Sequence, residues 1–100
     1  MKLITETLRH IRHLPIERLH LFTKKGALTF VKDGDENEVL MTDDEFRLLK
    51  GKIIVHNHPQ CNGCYCKVSD IDKAAVTAHG AHKIISICSC GNIDEYKGGN

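Results

Sequence analysis

The chain has little charge of either sign to spare, no long apolar run, no tryptophan and only two prolines. Fourteen Lys and Arg stand against 13 Asp and Glu, for a formal net charge of +1. Charge this balanced creates no basic field for wrapping a nucleic-acid backbone, so no nucleic-acid partner is expected. The longest apolar runs, such as Ile53-Ile54-Val55, fall far short of the roughly 20 residues a helix needs to cross a bilayer, so no membrane span is expected. Met1-Lys2 leads into no continuous apolar stretch and no small-residue cleavage site. A secretory signal is therefore not read, and a cytoplasmic protein is expected. Linkers, repeats and low-complexity tracts are also missing. A hydrophobic content of 41% is too high for a disordered chain. Residues 1–100 therefore read as one domain with one thin core.

What the chain does have is histidine and cysteine, seven and five respectively. An odd cysteine count without a secretory signal argues against a disulfide framework. In a reducing compartment, clustered Cys and His point to metal instead.

Periodicity gives the elements. Ile4, Leu8 and Ile11 share one face of a helix over residues 2–13, which Pro15 ends. Residues 16–23 alternate as a strand, with Leu19 and Leu21 on one face. Residues 27–32 form a second strand, and Asp33-Gly34 is a turn. Val39-Leu40-Met41 reads as a short third strand. Thr42 and Glu45 have capping-box spacing at the start of a helix that Gly51 closes. Lys52 to Asn57 is apolar enough to be a central strand buried on both faces. Residues 59–68 form a polar, Cys-rich loop. Ser69 to Gly80 is a helix with Ile71, Ala75, Ala78 and His82 facing the core, followed by strands at 84–88 and 93–96. The order α-β-β-β-α-β-α-β-β implies an α/β domain, a mixed sheet flanked by helices.

The informative run is His56-Asn57-His58-Pro59, followed by Ser69-Asp70-Ile71-Asp72. Alternate side chains of a strand share a face, so His56 and His58 point the same way at a buried strand's end. Asp72 falls in the first turn of the next helix, within reach of both. Two imidazoles and a carboxylate leave one tetrahedral position open for water, the pattern of a catalytic zinc site. Hydrolysis also needs a base and an oxyanion donor. Ser69 is the candidate donor. Glu17 is the candidate base, because it follows Pro15 and is in phase with the core-facing Leu19 and Leu21. Each half also has an ordinary reading: strand-end histidines, a helix N-cap at Ser69 and a solvated strand-initial Glu.

Together these residues resemble the JAMM (MPN+) metalloprotease motif, an upstream Glu followed by His-x-His-Pro and Ser-x-x-Asp. The similarity follows most of the chain and is greatest to compact JAB domains of bacteria and phages. It implies a cytidine-deaminase-like JAB/MPN architecture and a zinc-dependent peptidase or isopeptidase, with a protein or peptide substrate such as a ubiquitin-like conjugate. It implies zinc on His56, His58 and Asp72, with Glu17 as base and Ser69 as oxyanion partner. The Pro59-to-Ser69 loop is longer than usual for that family. The alternative is a catalytically inactive metal-binding interaction module of the same fold, of phage or mobile-element origin.

Other zinc chemistries fit less well. A nucleobase deaminase needs His-x-Glu and a distant Pro-Cys-x-x-Cys, whereas position 58 is His and Cys61 and Cys64 follow within a few residues. An HNH nuclease spreads its three residues over a ββα unit. The cysteines are a separate matter. Cys61, Cys64 and Cys66 precede the Ser69 helix, and Cys88 and Cys90 end the next strand. They read equally as a second, structural zinc site or as reduced thiols. His79 and His82 read as ordinary helix residues, as do His10 and His13.

Overall fold

The computed structural model describes residues 2–59 and 67–98. It is a small α/β fold with three helices on a five-stranded mixed sheet. The elements are α1 (Lys2–Ile11), β1 (Arg18–Phe22), β2 (Leu28–Asp33), α2 (Asp43–Arg47), β3 (Ile53–His58), α3 (Asp70–Thr77), β4 (Lys83–Cys88) and β5 (Ile93–Lys97). The strand order is β2-β1-β3-β4-β5. Among the described residues only β3 and β4 run parallel, and α3 makes the crossover such a pair requires.

The helical spacing of α1 does what it predicts. Ile4, Leu8 and Ile11 are buried against Phe22, Ile53, Val55, Ile85 and Ile87 on one sheet face. The opposite face carries Leu19, Leu21, Ile54 and Ile84 beneath Leu49, Val68, Val76 and Ala81. Ile53, Ile54 and Val55 therefore alternate between two cores, and each is at most 1% exposed. Full burial of each such side chain contributes roughly 1.5–3 kcal/mol. Because β3 lies in the middle of the sheet, its last residues are carried on a strand paired on both sides.

Two expectations fail. Residues 39–41 are not a strand. Val39 and Met41 do turn inward and Leu40 outward, as alternation requires, but they pack over the sheet face rather than join its edge. The Asp35 carboxylate accepts from the N–H groups of Asn37 and Glu38, which turns the chain off the sheet. The second failure concerns α3, which is shorter than 69–80 and rotated. Its inner face is Asp72, Ala75 and Val76, while Ala78 is exposed and Ile71 is 85% exposed. A carboxylate occupies the position that periodicity alone gave to isoleucine.

Candidate metal centre

The centre lies at the carboxyl end of β3. His56 and His58 follow Ile54 in phase, so they leave the strand on the α3 side. Their rings meet edge to face with centroids 4.8 Å apart. Ser69 caps α3. Its Oγ accepts the Asp72 N–H at 3.1 Å, and Asp72 Oδ2 accepts the Ser69 N–H at 3.2 Å. This reciprocal box fixes the first turn and aims the Asp72 carboxylate back at the strand. Asp72 Oδ2 lies 3.2 Å from His56 Nε2 and 3.7 Å from His58 Nε2.

Glu17 completes the group from the residue just before β1. It is 5% exposed, and its Oε1 lies 3.6 Å from His58 Nδ1. One ligand atom each from Glu17, His56 and His58 lies within 4.8 Å of the other two, and these residues could hold a metal ion. Asp72 Oδ2 also approaches both imidazoles. Ligands of a tetrahedral zinc are about 3.4 Å apart when the bonds are about 2.1 Å, and the Asp72 distances straddle that value. His58 Nε2 is also buried and has no hydrogen-bond partner among the described residues. A buried acceptor without a partner is costly unless something electrophilic meets it. The donor set therefore fits a metal ion.

The two carboxylates differ electrostatically. Burial pushes Glu17 up to about 7; His56 opposes this, while Asp72, Asp35 and Glu38 add to it. Burial also acts on Asp72, but there the hydrogen bond and charge of His56, the Ser69 N–H and His58 prevail, holding it down at about 2. Burial, then the neighbouring His56, lowers the His58 imidazole, although Asp72 pulls the other way. Near neutral pH, Asp72 is an anion and His58 favours its neutral, ligating form. Glu17 is poised to exchange a proton. Environments that push two carboxyls apart mark separate acid–base roles.

A cleft of about 620 Å³ opens beside these groups, between α3 and residues 37–41. Leu40, Met41, Ser69, Ile71 and Ala75 line it. Leu40 and Ile71 are exposed at its mouth.

All five residues of the sequence motif thus come together. The other candidates do not join them. His79 stacks on Phe46 at 4.4 Å, and no other metal-binding group occurs among the described residues. Cys88, which ends β4 as the register partner of His58, is disulfide-bonded, neither the zinc ligand nor the reduced thiol expected of it, and Cys90 lies just beyond in the exposed turn. Cys61, Cys64 and Cys66 lie outside the described residues, and with them the choice between a second, structural zinc site and reduced thiols. Sequence reasoning missed Asn57, which is fully buried and holds backbone on both sides of Glu17. Its one visible signal was a lone amide at the end of an apolar strand. Comparison with family models, curated proteins and solved structures yields no match.

Proposed function

We propose that this protein is a zinc-dependent hydrolase of peptide or isopeptide amides with the cytidine-deaminase-like JAB/MPN architecture. The observation that carries the reading is the convergence of Glu17, His56, His58 and Asp72 at one strand end, with Ser69 on the adjoining helix cap. His56, His58 and Asp72 would hold the zinc. When bound, the ion lowers the pKa of a water to about 7 and polarises the scissile carbonyl.

The chain's own groups do the rest. Glu17 Oε1 takes a proton from the attacking water and delivers it to the leaving amine. Its burial keeps bulk water from competing for that proton. Ser69 Oγ accepts the Asp72 N–H on one lone pair and keeps its own hydrogen to donate. That hydrogen meets the negative charge that develops on the carbonyl oxygen. Capping and catalysis are therefore compatible uses of one hydroxyl. The apolar cleft walls suit an extended peptide segment, and a ubiquitin-like conjugate is the substrate class proposed.

The test is elemental analysis of the purified protein, paired with hydrolysis of peptide and ubiquitin-like conjugate substrates. One zinc per chain with amide cleavage supports the reading. Zinc without cleavage of any amide replaces it with the non-catalytic module. Iron in place of zinc points to a two-histidine, one-carboxylate redox centre.

A further inference from the structure

β1 and β3 pair antiparallel from Phe22 opposite Ile53 to Leu19 opposite His56, where the paired register ends. The next rung is made by a side chain. Asn57 Oδ1 accepts the Arg18 N–H at 2.7 Å, and Asn57 Nδ2 donates to the Ile16 carbonyl at 2.9 Å. These two bonds fall on the residues immediately before and after Glu17. Asn57 is 0% exposed and leaves β3 on the face opposite the two histidines.

The backbone of Glu17 is held from its other side by the hairpin end. Its N–H donates to the Asp35 carbonyl at 2.7 Å, and its carbonyl accepts the Gly34 N–H at 2.8 Å. Gly34 has to be glycine where the turn folds back on Glu38, because a Cβ there would sit 2.0 Å from the Glu38 carbonyl oxygen. The chain around Glu17 is thus bonded on both sides without a continuous strand ladder. An amide reaches farther than a backbone rung. It lets β1 and β3 part beside the site while their polar groups stay paired. It also supplies a donor and an acceptor together, which neither Asp nor Leu can do.

We infer that Asn57 is the positioning residue that fixes Glu17 against the histidine pair. The middle residue of His-Asn-His thereby ties the base to the same strand that carries two of the ligands. The inference rests on the hydrolase reading, in which Glu17 acts on the water's proton. Asn57 touches neither substrate nor metal and acts through Glu17 alone.

The experiment compares Asn57→Leu and Asn57→Asp in the intact chain, each alone and combined with Glu17→Gln. Alone, Asn57→Leu should keep one zinc per chain and an unchanged KM, while kcat falls on the order of 10²-fold, as for a displaced reacting group. Asn57→Asp keeps the acceptor for Arg18 and should fall less. In the Glu17→Gln background neither substitution should lower the residual kcat further. Loss of zinc, or an equal loss of kcat in both backgrounds, overturns the inference. Should Asn57→Leu fail to fold, Asn57→Ser enters the same comparison. Amide hydrogen exchange reads the clamp without any activity. The Arg18 N–H should exchange at least about tenfold faster in Asn57→Ser than in the parent, since its acceptor is gone. Unchanged exchange overturns the inference. A parent protein that cleaves no amide overturns the hydrolase reading instead, and the exchange comparison still decides whether Asn57 holds the Glu17 segment.

Discussion

Glu17 and Asp72 address opposite nitrogens of one imidazole. Glu17 Oε1 is 3.6 Å from His58 Nδ1, and Asp72 Oδ2 is 3.7 Å from His58 Nε2. The carboxylates come from the start of β1 and the start of α3, so the ring of His58 sits between two elements that share no sequence proximity. Their roles divide on the same line, with Asp72 held ionised and Glu17 poised near neutrality.

Metal content should separate the two carboxylates. Asp72→Ala and His58→Ala should each abolish stoichiometric zinc. Glu17→Gln should retain it and lose roughly 10²–10⁴-fold in kcat, the usual range for a missing general base. Elemental analysis and steady-state kinetics on the same preparations give both numbers. Glu17→Gln protein without zinc would make Glu17 a ligand.

The stability of metal-free protein should depend on pH through Glu17 with a definite sign. Its folded pKa, about 7, lies above the ordinary value of 4.5. Its contribution is therefore fully present below about 4.5 and is lost as pH rises through 7. The Glu17→Gln variant escapes this loss. In chelator-treated samples, its urea stability relative to the parent should improve from pH 4.5 to 7 and then level off. The gain should be on the order of 3 kcal/mol. Asp72 works in the opposite sense, supporting the fold above about 3.8 and losing that support as pH falls towards 2. A pH-independent difference between parent and Glu17→Gln would remove the case for a perturbed base.

Ser69 should show its two uses separately. Ser69→Ala loses the cap and the donor together, costing about 1 kcal/mol of stability and about 10²–10³-fold in kcat. Ser69→Asp restores an acceptor for the Asp72 N–H but has no hydroxyl hydrogen. Its melting temperature should return towards that of the parent while its activity stays low. Recovery of both would reduce Ser69 to a cap.

The apolar cleft mouth should matter to substrate and not to the fold. Ile71 is 85% exposed and Leu40 71% exposed, so Ile71→Asp and Leu40→Asp should shift stability by less than about 0.5 kcal/mol. Against an extended peptide substrate, each should raise KM with little change in kcat. Ile54→Ala, by contrast, should cost about 2–5 kcal/mol, because that side chain is 1% exposed between β3 and the α3-side core. Chemical denaturation and initial-rate kinetics distinguish the two classes.

The amino-acid sequence by itself determined the local pieces. The spacing of Ile4, Leu8 and Ile11 specifies one buried helical stripe, and the run Ile53-Ile54-Val55 specifies a strand buried on both sides. The strand period puts His56 and His58 on one face, and the cap at Ser69 fixes where Asp72 points. These are short-range consequences of backbone geometry, and they hold before any packing is known. Only the tertiary structure decided what local rules cannot express. Strand order brings Glu17 beside His58 from a distant part of the chain, because β1 lies next to β3. The rotation of α3 follows from Asp72 facing inward, which sends Ile71 to the surface against its hydrophobicity. Val39 and Met41 alternate like a strand, yet the Asp35 turn lays them across the core instead of along an edge. Asn57 acquires its bonds only where two strands part. In each case the deciding contacts join residues far apart in sequence, so the pattern of residues marks the candidates and the packing assigns their partners.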